Sequence, residues 1–126
     1  MYKVLIIEPE PVNRIMFEGT LGDDCFELLF VQNSSEAIET AASIYIDLMI
    51  TDMSDQDNDA LQAVRTVSMS DPDVPIIALV PENLYELKKT VFHNGANKVL
   101  VKPFDIQDLL NVMDMLLGIG TVPYNR

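Results

Sequence analysis

Apolar residues run through the chain in short bursts, separated by segments where they recur every three or four positions. Tyr2 to Ile7 is the first burst, nearly unbroken, as a strand covered on both faces requires. Phe26 to Val31, Asp47 to Thr51, Val74 to Val80 and Val99 to Val101 repeat the pattern. Pro11 opens a helix where a missing donor is tolerated, and Val12, Ile15 and Met16 follow at helical spacing until Gly19 and Gly22 loosen the chain. Asn33 or Ser34 can cap a second helix with Ala37, Ile38, Ala41 and Ala42 on its inner side. Asp59 can cap a third, lined by Leu61, Val64 and Val67 or Ser68. Leu84, Leu87 and Val91 line a fourth, which Gly95 would terminate. The clearest stripe is the last: Ile106, Leu109, Leu110, Met113, Leu116 and Leu117, ended by Gly118 and Gly120.

Strand and helix alternate throughout, which predicts an α/β fold around a parallel sheet. Five such units suit a single-domain, flavodoxin-like, doubly wound five-stranded sheet of strand order 2-1-3-4-5 better than a six-stranded Rossmann pair. The domain is expected to occupy residues 1–120, with 121–126 a C-terminal tail or the start of a linker. Sites in these sheets form at the carboxyl ends of strands, near the switch point between the first and third. That rule gathers Glu8, Glu10, Asp52 and Lys102 at one end of the molecule.

Composition narrows the field of partners. The 126 residues are 48% hydrophobic and 22% charged, which is globular rather than disordered. Twenty acids against eight Lys and Arg give a formal charge of −12. Such a surface repels nucleic-acid phosphates and anionic lipid, so neither direct nucleic-acid binding nor membrane binding is expected. No apolar run is long enough to span a bilayer, and no leader pattern follows Met1. The single cysteine, Cys25, cannot form an internal disulfide and has no basic neighbour in sequence, so it reads as a packed thiol in a reducing cytoplasm.

Carboxylates gathered with one lysine can hold a divalent cation and handle a phosphoryl group. Magnesium takes hard oxygen ligands, and a strand-end aspartate such as Asp52 can serve as nucleophile to form an acyl phosphate. Glu10 and Asp59 read instead as solvated or capping acids.

At these residues the chain resembles a response-regulator receiver domain of two-component signalling, from end to end. Asp47-Leu48-Met49-Ile50-Thr51-Asp52-Met53 is similar to that family's third strand with its phosphoacceptor, and Lys102-Pro103-Phe104 to its lysine–proline motif. Val74-Pro75-Ile76-Ile77-Ala78-Leu79 resembles the fourth strand, and Asn94-Gly95-Ala96 the turn before the fifth. The resemblance implies that Asp52 accepts phosphate from a histidine kinase or phosphotransfer protein and that Lys102 contacts the phosphoryl group. It implies a Mg2+ shell from Glu8, Asp52 and the backbone carbonyl of Ser54, and a cis Lys102–Pro103 peptide. It also implies a downstream output domain or protein. The face of the fourth helix, fifth strand and fifth helix is the expected docking surface, for a partner or a second copy. No enzymatic role is expected beyond self-phosphorylation and self-dephosphorylation of Asp52.

The chain departs from the family pattern at telling places. Pro9 follows Glu8 where a second acid is expected, so one metal carboxylate is missing and binding should be weak. Val80 replaces the switch hydroxyl after the fourth strand, with Pro81 next, and a valine cannot hydrogen-bond a phosphoryl oxygen. Val99 stands where the switch aromatic belongs; Gln56 and Ala60 replace the usual proline and glycine. Two readings follow: a phosphoacceptor with a weakened metal site and impaired switch, or a phosphorylation-independent pseudo-receiver acting as an interaction module.

Other chemistries fit poorly. Glu8-Pro9-Glu10-Pro11 would repel the phosphate of a flavin mononucleotide, and a haloacid-dehalogenase phosphatase needs aspartate where Glu8 stands. A calcium loop from Asp52 would need glycine at Asp57 and glutamate at Ala63. His93 falls near the end of the fourth helix, where an imidazole suits the helix dipole.

Overall fold

The computed structural model describes residues 1–22, 25–53 and 58–119. Its strands are β1 (Tyr2–Ile7), β2 (Phe26–Val31), β3 (Leu48–Asp52), β4 (Ile76–Val80) and β5 (Lys98–Val101). All pair in parallel in the order β2-β1-β3-β4-β5, the expected doubly wound sheet. The helices are α1 (Pro11–Leu21), α2 (Ser34–Ser43), α3 (Asp59–Ser70), α4 (Leu87–His93) and α5 (Ile106–Leu117). Residues 121–126, expected to be a tail, lie outside the described residues.

Alternation along the strands divides the core in two. Val4, Ile6, Leu48, Ile50, Ile77 and Leu79 pack against Leu21 of α1 and Leu109 and Met113 of α5. Leu5, Ile7, Met49, Ile76, Ala78 and Val80 face α2, α3 and α4, meeting Ala37, Ala63, Val64, Val67 and Val91. Asn33 caps α2 as expected, its side chain accepting from the Glu36 amide at 2.9 Å. Gly95 follows the end of α4 at φ +122°, and a β-carbon there would collide with Ser68.

Several expectations need correction. Val12, Ile15 and Met16 are 69%, 67% and 62% exposed, because α1 docks through Phe17 and Leu21 on another face. Asp59 begins α3 rather than capping it: its carboxylate accepts from the amide and hydroxyl of Ser34, both at 2.8 Å, so it serves the start of α2. Asp47 lies just before β3 and accepts from the Lys3 amide, while β4 begins only at Ile76. Leu84 belongs to a separate 3-10 turn, Glu82–Leu84, which leaves α4 with seven residues. Ala42 is exposed, and Ile106 is 41% exposed because α5 buries the stripe through Leu109 and Met113. Cys25 is exposed, since it precedes β2 at the sheet rim, where its carbonyl accepts from the Tyr2 amide.

Candidate functional site

Backbone pairing carries three charged residues to one corner. The Glu8 amide donates to Val31 O at 2.9 Å, extending the β1–β2 ladder one residue past the strand. Asp52 closes β3, and the next amide, Met53, donates to Leu79 O. The Lys102 amide donates to Val80 O at 2.8 Å, directly after β5 and before a cis bond to Pro103. Each side chain therefore leaves a fixed backbone position.

The side chains converge as the sequence predicts for two of them. Lys102 Nζ donates to Asp52 Oδ1 at 2.7 Å, with the aspartate side chain 4% exposed and the lysine 36%. Asp52 is thus a buried charge with a half-solvated counterion. Glu8 is buried too, at 1% exposure. Its Oε2 accepts from the Glu10 amide at 3.2 Å and Asn13 Nδ2 at 3.3 Å. Its Oε1 is buried without a hydrogen-bond partner among the described residues. Burial, and then the neighbouring Asp52 carboxylate, raise the Glu8 pKa from 4.5 to about 7, while Glu10 and Asn13 oppose the rise. The glutamate gains from holding a proton, or from meeting a cation, as long as Asp52 is ionised beside it.

Such an orphaned carboxylate oxygen beside a second buried carboxylate is a donor set that fits a hard divalent ion. Glu8 and Asp52 would hold it. Ser54, expected to add its carbonyl, lies outside the described residues, and Pro9 supplies no side-chain oxygen. Glu10 is exposed, and its contribution to the corner is its backbone amide.

Four residues of α1 do work that the sequence alone did not disclose. Asn13 steadies Glu8, while Arg14 Nε donates to the Glu8 carbonyl at 2.7 Å and its guanidinium lies 5.8 Å from the Phe30 ring centre. Met16 and Phe17 line a cleft of about 410 Å³ that opens onto Asp52 and Lys102, with Phe104 and Leu109 opposite. The available signal was that Asn13, Phe17 and Leu21 share one helical stripe, the face pointing back at the strand ends.

On the other flank, the predicted departures sit in apolar packing. Val80 is fully buried and Val99 half-buried, in the cluster that holds Val91, Leu84 and Leu87. Ala60 is buried at the start of α3.

Comparison with known proteins agrees with this fold. The model of the response regulator receiver domain family matches residues 4–114. The virulence transcriptional regulatory protein PhoP of Salmonella typhimurium is 26% identical over 117 residues, 93% of this chain and 52% of PhoP. The response regulator protein PilR of Pseudomonas aeruginosa is 30% identical over 104 residues, 82% of this chain and 23% of PilR. The chain thus spans about half or less of these relatives. Among solved structures, the receiver domain of a Pseudomonas aeruginosa sensor histidine kinase, with magnesium coordinated in its active-site cleft, superimposes at TM-score 0.81 and 25% identity. That match covers 93% of this chain and 98% of the other. A response regulator receiver domain protein from Clostridium thermocellum gives 0.83 at 23% identity, covering 94% and 96%. No helix among the described residues is long and apolar enough to cross a membrane.

Proposed function

We propose, for a chain that belongs to the response regulator receiver domain family, that Asp52 accepts a phosphoryl group from a histidine kinase or phosphotransfer protein. The observation that carries this reading is the buried Asp52–Lys102 pair at 2.7 Å. A carboxylate held inside the fold against a lysine is costly to keep unless it has work to do. An Asp52 oxygen attacks phosphorus, the donor's phosphorus–nitrogen bond breaks, and its electron pair stays on the departing imidazole. Lys102 then has a phosphoryl oxygen to neutralise in place of Asp52 Oδ1. Glu8 and Asp52 would hold Mg2+, whose contribution when bound is to offset charge on the phosphoryl oxygens. The magnesium in the cleft of the histidine-kinase receiver domain supports this assignment. With Pro9 in place of an acid, the affinity is weak.

Transmission is the altered part. Val80 offers no hydroxyl to the phosphoryl group, and Val99 no ring to follow it. A ligand shifts a conformational equilibrium only through contacts that differ between the two states. The output partner, whether another protein or a domain beyond this chain, therefore meets one nearly constant face. Chemistry at the domain is limited to self-phosphorylation and self-dephosphorylation of Asp52. Treatment with acetyl phosphate and magnesium, read by intact mass, tests the acceptor directly: a gain of one phosphoryl group on the protein and none on Asp52→Asn is expected. Unmodified protein under conditions that label an ordinary receiver domain would leave the pseudo-receiver reading, with Lys102 as a structural partner.

A further inference from the structure

Glu8 is held at three points, and the hold is uneven. Its Oε2 accepts from two donors, the Glu10 amide at 3.2 Å and Asn13 Nδ2 at 3.3 Å. Its main-chain oxygen accepts from Arg14 Nε at 2.7 Å. Its Oε1, buried as deeply as the rest of the side chain, accepts from none of the described residues. A buried carboxylate is best served when both oxygens have donors, because an unpaired one keeps the full cost of leaving water. An asparagine there for stability alone belongs at Oε1. Asn13 instead doubles a bond that the Glu10 amide already makes, and it lines the cleft shared with Asp52 and Lys102.

We propose that Asn13 is a positioning residue for the cation site: by tying Glu8 Oε2 to the first turn of α1, it keeps Oε1 as the oxygen left for a divalent ion shared with Asp52. This rests on the magnesium assignment above and adds the residue that lets one acid serve where Pro9 supplies none. Two adjacent acids hold a hard cation largely by charge. With one fewer, affinity depends more on how little the remaining donor must be ordered when the ion arrives. A glutamate, with its extra rotatable bond, has more freedom to lose than an aspartate. Pro11 at the start of α1 and Arg14 on the Glu8 carbonyl fix the turn from which Asn13 reaches back. Residues that touch a metal ligand rather than the metal typically change affinity by about 10–100-fold when removed. The phosphoacceptor reading fails separately, because it is read by mass: a chain that binds Mg2+ but takes no phosphoryl group sinks that reading and leaves this one standing.

The test is a double-mutant cycle on the full 126-residue chain. Mg2+ affinity is read by calorimetry and Mn2+ affinity by paramagnetic broadening of amide signals, so that weak binding still registers. Asn13→Leu keeps the branching of the side chain and removes the donor. It should bind both ions about tenfold more weakly than the parent, with an unchanged amide spectrum elsewhere. Asn13→Ala, which cannot crowd the cleft, repeats the measurement if leucine disturbs the fold. Val12→Ala, on the exposed side of the same helix, should bind like the parent. In a Glu8→Gln chain, Asn13→Leu should add no further loss, because Asn13 acts through the Glu8 carboxylate. Equal affinity of the parent and both Asn13 variants overturns the proposal, as does a parent that binds neither ion. So does an equal loss with and without the Glu8 carboxylate, since Asn13 would then act on the ion or on the fold directly.

Discussion

The acceptor corner and the flank formed by β4, β5 and α4 are built from opposite materials. In the corner, two carboxylates are buried beside a half-exposed amine, and one carboxylate oxygen has no partner among the described residues. On the flank, Val80, Val91 and Val99 pack with Leu84 and Leu87. The first region is suited to protons, cations and phosphoryl groups, because its energy is electrostatic. The second is held by burial, which is indifferent to charge. On the reading proposed above, charge changes at Asp52 without acquiring a lever on α4. Phosphate chemistry and switching, usually treated as one property, are separable under that proposal.

The largest expected effect is on the corner alone. Asp52→Asn should abolish phosphoryl incorporation from acetyl phosphate while the chain stays folded, since an amide still hydrogen-bonds in the same space. Labelling that persists in this variant, located by peptide mass mapping at another side chain, would move the acceptor away from β3.

Protonation of Glu8 comes next. Folded Glu8 holds its proton up to a pH of about 7, against 4.5 when unfolded. Between those values the folded state binds more protons, so stability falls as pH rises from 4.5 to 7 and levels off above. The whole effect is at most about 3 kcal/mol. Glu8→Gln should remove that slope and be the more stable protein at pH 8, in urea unfolding with a chelator present. Parallel slopes for the two proteins would show that Glu8 titrates normally.

Restoring the missing carboxylate is a smaller intervention. Pro9→Asp should tighten magnesium binding by about tenfold, or about 1.4 kcal/mol, in calorimetric titration. Equal affinity would mean that the site is already complete and that the departure at Pro9 has no consequence for the metal.

The smallest expected effect is none at all. Beryllofluoride with magnesium should shift amides near Asp52 but leave Leu84 to Phe92 and Ile106 to Leu117 nearly unmoved, once binding is confirmed. In Val80→Thr, a hydroxyl becomes available, and a hydrogen bond to a charged group is worth about 1.5–3 kcal/mol. The same titration should then reach α4. Large shifts in the unsubstituted chain would erase the contrast between corner and flank.

How much of this was legible in the sequence depends on which force set each feature. Strand order and the meeting of Asp52 with Lys102 follow from parallel β-α units, because strand ends must gather at one edge. The rotation of α1 did not follow. Val12, Ile15 and Met16 form as good an apolar triplet as Asn13, Arg14 and Phe17 form a mixed one, yet the mixed stripe turns inward. A guanidinium bound to the Glu8 carbonyl and lying against Phe30 outweighs what hydropathy alone suggests. Asp59 was misread for a similar reason: its partner, Ser34, is twenty-five positions away, and capping rules look only along the chain.

That rotation of α1 has a consequence for how such a protein changes over generations. The helix is anchored by Leu21, Phe17 and the reach of Arg14, so Val12 and Ile15 contribute little to folding. Substitutions at exposed positions typically change stability by no more than about 0.5 kcal/mol. A lineage can rewrite the outside of α1 one residue at a time without nearing the threshold at which the fold fails. Drift on that surface is limited by what the surface touches, whereas Arg14 has the core on one side and Glu8 on the other. Related chains that keep an arginine there while their outward residues scatter would bear the mark of that division.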